Sequence, residues 1–436
     1  MEEHKVYKVA IVGAGPSGLV TAKALLGCGV APEDIVMFEE SDQIGGLWNR
    51  KARWEPKDQH GQPKVTSATN PIYDDLTTNL PNQIMAFSDF PFQTDMDFFP
   101  KSGAVLDYLN QYADKHDLRS MVRFNSRVKA AKKQGSQWKV TSDGTTFYSS
   151  EHLVVCSGHF RKPFIPFVEG SSNFKGRQLH CSAFKNAKQM SGETVLIVGA
   201  AVSGVDIAKK LISSSVCKQV IVSVRNMTPY YKHTLRRAKI DNIRGGLRKV
   251  DQDGTVFFHD DKESIKPTVI IYATGYRFSF PFLQSPETPV EDFVAKGGYR
   301  MEKLYKRIVY VEDPTLSFIG TPNYCISANM VFEYQAMFLA SVISKKISLP
   351  SHNVMLEEVN SRKGDTSQDV LLFKCPSYCN SLAAETGFEG YWSQIFRKRL
   401  FWALKSIYAR SPVRLMGFFL SCALVCAIIT KKLLKK

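Results

Sequence analysis

YKVAIVGAGPSG, Tyr7 to Gly18, is an apolar run that breaks into glycines. Val9, Ala10, Ile11 and Val12 read as a buried parallel strand, and Gly13-Ala14-Gly15-Pro16-Ser17-Gly18 reads as the turn into a helix over about Ser17–Leu26. Gly13 permits the tight turn, Gly15 lets a pyrophosphate approach the backbone, and Gly18 lets the helix pack close to the strand. The helix N-terminus then directs free N–H groups and partial positive charge at the phosphates. A second strand, Ile35–Phe38, ends in Glu39 at about the expected 20 residues. A carboxylate there accepts ribose hydroxyls and repels a 2′-phosphate, so this site favours FAD or NAD over NADP. Two glycines and an aromatic face follow in Gly45-Gly46-Leu47-Trp48, which reads as a contact for a ring system.

The pattern returns once. Thr194–Val198 runs into Gly199-Ala200-Ala201-Val202-Ser203-Gly204 and a helix from Val205 to about Ser213, with Ala201 where the first motif has Gly15. The next strand, Val220–Val224, ends in Arg225 instead of an acid, and a cation there suits the 2′-phosphate of NADPH. Between the two units, Thr66–Phe92 is long, aperiodic and too aromatic for disorder, as functional segments often are. A helix over about Ser102–His116 and strands at Met121–Phe124, Val128–Lys132, Trp138–Thr141, Thr146–Tyr148 and His152–Gly158 follow. Lys162–Pro166 marks a linker. Thr268–Tyr276 is expected to return the chain to the first domain, Leu316–Gly320 to close it, and a helix near Met330–Ser344 to follow.

The chain has 436 residues, 44% hydrophobic and 22% charged, which is ordinary for a folded protein. Its net charge is +16, but ten of those charges lie beyond Gly390, where there is no Asp or Glu. A basic tail on a nearly balanced body argues for a membrane surface and against nucleic acid. Nine cysteines without framework spacing read as reduced thiols. HExxH, paired CxxC and the serine-nucleophile elbow are all missing, so metal and covalent-acyl chemistry have no support.

The segment Phe174–Phe184, FKGRQLHCSAF, places Phe174, Gly176, His180 and Phe184 at the defining positions of the Phe-x-Gly-x3-His-x3-Phe/Tyr fingerprint. With the two glycine motifs around it, the chain resembles the flavin-containing monooxygenases from Val9 to about Ala340. Phe184, where the related Baeyer–Villiger enzymes end in Trp, favours the branch that oxygenates amines and sulfides. The resemblance implies an α/β fold with two Rossmann-like dinucleotide-binding domains, glutathione-reductase-like, the NADPH domain inserted in the FAD domain. The implied boundaries are 1–163 and 279–389 for FAD, 164–278 for NADPH, and 390–436 for a membrane-anchoring tail.

By the same resemblance FAD is held by Gly13, Ala14, Gly15, Pro16, Ser17, Gly18, Glu39, Gly46, Leu47 and Trp48, with Gln335 near the flavin ring. NADPH is held by Ser203, Gly204, Val205, Asp206 and Arg225. Thr78 and Asn79 match the pair between nicotinamide and flavin, and Asn79 is the catalytic candidate. The implied reaction is oxygenation of a small-molecule nucleophile, amine or sulfide, by O2 and NADPH through a C4a-hydroperoxyflavin. An amide can hydrogen-bond such a species without ionising. The alternatives are an NADPH oxidase that releases H2O2, and a catalytically silent membrane-bound nucleotide-binding protein.

Gly390–Ser411 mixes apolar and basic residues as an amphipathic surface helix does. Leu415–Thr430 is a 16-residue uncharged run, short of the usual span of about 20, which Leu433 and Leu434 extend if Lys431 and Lys432 snorkel. It is expected to be a C-terminal membrane anchor, the alternative being a helix buried in a homo-oligomer interface. The excess of basic residues before the run places the body on the cytoplasmic side. The family suggests the endoplasmic reticulum.

Overall fold

The computed structural model describes residues 5–50, 70–142, 147–260, 263–283, 289–322, 325, 327–362 and 374–399. The start of the Thr66–Phe92 segment and the expected anchor Leu415–Thr430 lie outside the described residues. Among those described, no helix is long and apolar enough to cross a membrane.

In chain order the elements that build the site are β1 (Val6–Val12), α1 (Pro16–Gly27), β2 (Ile35–Phe38), α2 (Ser102–Lys115), β3 (Val122–Arg123), β4 (Ala130–Gln134), β5 (Gln137–Thr141) and β6 (Phe147–Val155). Then come β7 (Arg177–His180), β8 (Thr194–Val198), α3 (Val202–Ser214), β9 (Gln219–Ser223), α4 (Pro229–Arg237), β10 (Ile243–Arg244), β11 (Val269–Tyr272), β12 (Leu316–Phe318) and α5 (Ala328–Ile343). They form two sheets. The first runs β12–β6–β1–β2–β3 in parallel, with β5 and β4 added antiparallel on β6. The second is β10–β9–β8–β11–β7, parallel throughout.

β1 is apolar on both faces because both are covered. Val9 and Ile11 pack with Leu19 and Leu25 of α1 and Met330 and Leu339 of α5, whereas Ala10 and Val12 pack with Trp138 beneath the β4–β5 hairpin. α1 lies between sheet and α5, which is why its residues show no polar stripe. Buried on both sides, the strand fixes where its C-terminal turn emerges. That turn is the site.

Two expectations are corrected. Thr146–Tyr148 and His152–Gly158 are not separate strands; Phe147–Val155 is one, pairing β5 over Phe147–Ser150 and β1 from Ser149 to Val155. Ser149 and Ser150 read as a break, but both are buried, Ser149 accepting from Lys139 Nζ at 2.6 Å and Ser150 donating to His152 O at 3.0 Å. Nor does Thr268–Tyr276 return the chain to the first sheet. Its strand is shorter, Val269–Tyr272, and sits inside the second sheet between β8 and β7. The crossing comes just after it, where Tyr276–Arg277 pairs antiparallel with Lys162–Pro163. Outgoing and returning chains thus run side by side, with Phe164 N–H donating to Gly275 O at 2.9 Å.

Candidate functional site

Backbone geometry makes Gly13 and Gly18 of the first turn obligatory. Gly13 sits at φ +104°, where side chains are strained, and a Cβ on it would lie 2.7 Å from Cys156 O. On Gly18 a Cβ would lie 2.0 Å from Gly13 O. Gly15 faces Gly46 so closely that a Cβ on Gly46 would stand 3.0 Å from Gly15 Cα. The Gly45–Trp48 turn is tied to the first by Gly45 N–H on Ala14 O at 3.0 Å. Bare backbone thus lines both sides of a slot at the N-terminus of α1, which fits a pyrophosphate.

Glu39 closes one end of the slot. It accepts from Ala14 N–H at 2.9 Å and from the N–H and Oγ of Ser41 at 3.0 and 2.8 Å. Burial pushes its carboxyl above the ordinary value, although these donors oppose the shift. Beside it, Glu40 accepts two 2.9 Å bonds from Arg161.

From this slot a cavity of about 1530 Å³ extends to the second turn. Gly13, Gly15, Pro16, Ser17, Glu39, Gly46, Leu47 and Trp48 all stand on its wall, and so do Thr78 and Asn79. Ala14 and Gly18 lie behind it as packing residues. Thr78 is buried and donates to Leu80 O at 2.9 Å, shaping a turn on which Asn79 is exposed to the cavity. The far side of the turn is fastened to the start of α5, Ser327 donating to Ile84 O at 2.9 Å and Asn329 to Met85 O at 2.8 Å. Gln335 does not reach the wall. Its amide accepts from Gly320 N–H at 3.0 Å and donates to Tyr378 Oη at 2.8 Å, so it supports the Gly320 turn from behind, and α5 meets the cavity through Ala328, Asn329 and Phe332.

The second turn repeats the first. Gly199 has φ +109°, and a Cβ on Gly204 would lie 2.0 Å from Gly199 O. Ala201 holds φ −74°, ψ −176°, extended backbone open to any residue, with its methyl on the cavity wall. Val205 and Asp206 are also on the wall, whereas Gly204 is buried behind it and Ser203 and Arg225 are exposed beyond it. Arg225 stands at the end of β9 against Gly246, where a Cβ would meet its Cα at 3.2 Å. Sequence reasoning missed Lys209 of α3 and Arg237 of α4, which bring positive charge to the wall, and His233, which stands on the wall with them. The trace of His233 and Arg237 was the basic face of the short helix PYYKHTLRR, and which way that face turns is set by tertiary packing.

The fingerprint forms β7, the edge strand of the second sheet, with its flanks. A Cβ on Gly176 would strike Thr268 O at 2.4 Å, and Phe184 is fully buried. His180 takes Ser182 N–H on Nδ1 at 3.3 Å, which leaves Nε2 to donate to Gly275 O at 3.0 Å. The ring is therefore neutral, with burial lowering its pKa to about 4, and it clamps the turn where the chain leaves the second sheet. Among the described residues, no group of three or more His, Cys, Asp or Glu is placed to hold a metal ion.

Against known families, residues 6–234 and 238–380 match the flavin-binding monooxygenase-like family. The chain belongs to it. This flavin monooxygenase is 31% identical over 365 residues to the flavin-containing monooxygenase FMO GS-OX1 of Arabidopsis thaliana, covering 80% of this chain and 77% of the relative. Among solved structures it resembles S-allyl-L-cysteine S-oxygenase from Allium sativum, with a TM-score of 0.76, 26% identity, and coverage of 95% and 97% of the two chains. It also resembles Tmm from Pelagibacter sp., with a TM-score of 0.71, 27% identity, and coverage of 87% and 86%. The enzyme is thus a flavin-containing monooxygenase, an oxidoreductase that uses FAD and NADPH. Two glycine cradles opening on one cavity fit two dinucleotides.

Proposed function

We propose that this enzyme oxygenates soft nucleophiles, the nitrogen of amines and the sulfur of sulfides, with NADPH and O2. The observation that carries the reading is Asn79, an amide exposed on the wall of the same cavity onto which a cradle with a buried acid and a cradle followed by a cation both open. The first cradle, with Glu39, Leu47 and Trp48, is assigned to FAD. The second, with Val205, Asp206 and Arg225, is assigned to NADPH. Bound there, FAD accepts hydride from NADPH and activates O2.

The chain supplies binding, orientation and a controlled wall. Gly13–Gly18 and Gly46 present bare backbone to a pyrophosphate, and the α1 N-terminus stabilises its charge. Leu76, Leu80 and Met85 flank the turn and displace water. His159, also on the wall, is held neutral by burial at a pKa of about 4, with Nδ1 beside Gly320 O at 3.3 Å. Asn79 both donates and accepts without carrying a titrating proton. A nucleophile with its own lone pair needs no general base.

The test is oxygen-18. Purified enzyme turning over with NADPH, labelled O2 and a thioether or tertiary amine is expected to give one labelled oxygen in the product. Stoichiometric H2O2 with unlabelled substrate, whichever nucleophile is offered, would replace this reading with NADPH oxidase, and a colourless protein inert to NADPH would replace it with a silent nucleotide binder.

Membrane attachment through the tail is the second part of the proposal. It is supported by the concentration of positive charge beyond Gly390 and by the apolar run Leu415–Thr430. The body then faces the cytoplasm, with the endoplasmic reticulum as the membrane. Full-length protein resisting carbonate extraction, and a chain ending at Arg410 released by it, is the expected result. Full-length protein that is extracted and sediments as a defined oligomer would assign the run to a subunit interface instead.

A further inference from the structure

The segment that leads into the Thr78–Asn79 turn is fastened to the wrong unit for its place in the chain. It follows the first glycine motif, yet Tyr73 is only 7% exposed and lies in the apolar core of the second unit with Phe184, Ala200 and Ile207. Its ring meets Phe184 edge-on, centroids 5.6 Å apart, and Lys210 Nζ stands 5.4 Å from its centre. Its hydroxyl donates to Asp206, the fifth residue of α3 and on the cavity wall. Around it the backbone is pinned as well, with Asp74 N–H on Lys185 O at 2.7 Å and Asn186 Nδ2 on Asp74 at 3.0 Å.

A few residues later the attachment changes sides. Ser102 N–H donates to Leu76 O at 3.0 Å, Thr78 N–H to Pro100 O at 2.9 Å and Asn82 N–H to Phe98 O at 2.8 Å, all within the first unit. The turn that presents Asn79 is therefore stretched between the two units. Its tie to the second at the cradle itself is the Tyr73 hydroxyl on Asp206, beside the Asp74 bonds to Lys185 and Asn186.

We propose that Tyr73 is a positioning residue: its bond to Asp206 sets the second unit against the Asn79 turn, and so keeps reduction by NADPH coupled to transfer of oxygen to substrate. The inference rests on the oxygenation reading above. Asp206 thereby has a role besides any contact with NADPH, because it ties the helix N-terminus at the second cradle to the turn between the cofactors. Burial and the neighbouring carboxylate hold the Tyr73 phenol far above its ordinary pKa, so it remains a donor over the whole working range.

Tyr73→Phe keeps the ring in its apolar site and removes only the hydroxyl. The FAD-loaded full-length protein is expected to retain its flavin content, and hydrogen exchange at Asp74, Leu76 and Thr78 is expected to rise about tenfold without NADP+ present. In turnover with a thioether, the H2O2 released per NADPH is expected to rise about threefold, while the rate of flavin reduction at saturating NADPH changes less than about twofold. Asp206→Ala should give the same exchange pattern without NADP+, and in exchange the double variant should be no worse than either single one, since both remove one interaction. Unchanged exchange, unchanged H2O2 fraction, or additive exchange effects in the double variant would each overturn the proposal. Absence of labelled product from the wild type would overturn the oxygenation reading instead, and the two failures are told apart because exchange needs no turnover.

Discussion

The two glycine turns of this enzyme have nearly the same backbone and different residues, and the difference shows what each glycine is for. Gly15 begins α1 at φ −78°, ψ −175°, and Ala201 begins α3 at φ −74°, ψ −176°. Both are extended conformations that any L residue adopts, so backbone strain does not require Gly15. Approach does: Gly15 lies against Gly46, whereas the Ala201 methyl faces the cavity. By contrast, Gly18 and Gly204 occupy the same place and cannot be exchanged, each leaving a Cβ 2.0 Å from a carbonyl oxygen of the turn. The strand ends differ too. Glu39 is buried and held by Ala14 and Ser41, whereas Arg225 is exposed beyond its strand.

The harshest way to break this comparison is to put a methyl at the shared position. Gly18→Ala and Gly204→Ala are each expected to cost about 3 kcal/mol or more, because the contact is with backbone and the helix must move. The first should yield protein without flavin. The second should retain flavin that NADPH no longer reduces, as absorbance at purification and after NADPH addition would show. Equal loss of flavin in both would mean that the two turns do not fold as separate cradles.

Buried neutral histidines give both units a pH effect, and His180 carries one in the second. His180 has its folded pKa lowered to about 4 from an ordinary 6.5, so between these values the unfolded chain binds more protons than the native one. Its contribution to stability is complete above pH 6.5 and is lost as pH falls towards 4, amounting to about 2 kcal/mol between pH 7 and pH 5. Denaturant unfolding at the two pH values should show a correspondingly smaller drop in His180→Gln. An identical drop would mean that His180 is already protonated in the native state.

The gentlest changes exchange the two unlike residues. In Gly15→Ala a Cβ would sit 3.4 Å from Gly46 Cα, an ordinary contact, so the protein should fold. The methyl would occupy the pyrophosphate's approach, and FAD affinity should fall about tenfold, or about 1.4 kcal/mol. Ala201→Gly trims a half-buried residue on the cavity wall, and KM for NADPH should move less than about threefold. Titration of apoprotein with FAD and initial rates against NADPH would measure both, and comparable effects would mean that approach is as close in the second cradle as in the first.

The same contrast explains what the sequence made legible. Turn glycines and apolar strands are local, so Gly13–Gly18, Gly199–Gly204 and the strands before them could be read residue by residue. Thr78 and Asn79 were marked by the family resemblance, and not by any local pattern of their own. Long-range pairing hid the rest: Ser149 and Ser150 look like a break until β1 and β5 bury them, and Val269–Tyr272 looks like a return strand until it pairs with β8 and β7. Gln335 has the composition of a site residue, but only Gly320 and Tyr378 show which way its amide faces. Tyr73 carried no signal, since its partner lies 133 residues away.

Asn79→Ala, measured for labelled product, NADPH consumed and H2O2 released in one reaction with oxygen-18 and a thioether, tests the central claim most directly. The account predicts that the variant binds FAD and is reduced by NADPH at a rate within about threefold of the wild type, while labelled product per NADPH falls about tenfold and H2O2 makes up the difference. Product and peroxide fractions equal to those of the wild type would contradict it, and would remove Asn79 from the reaction.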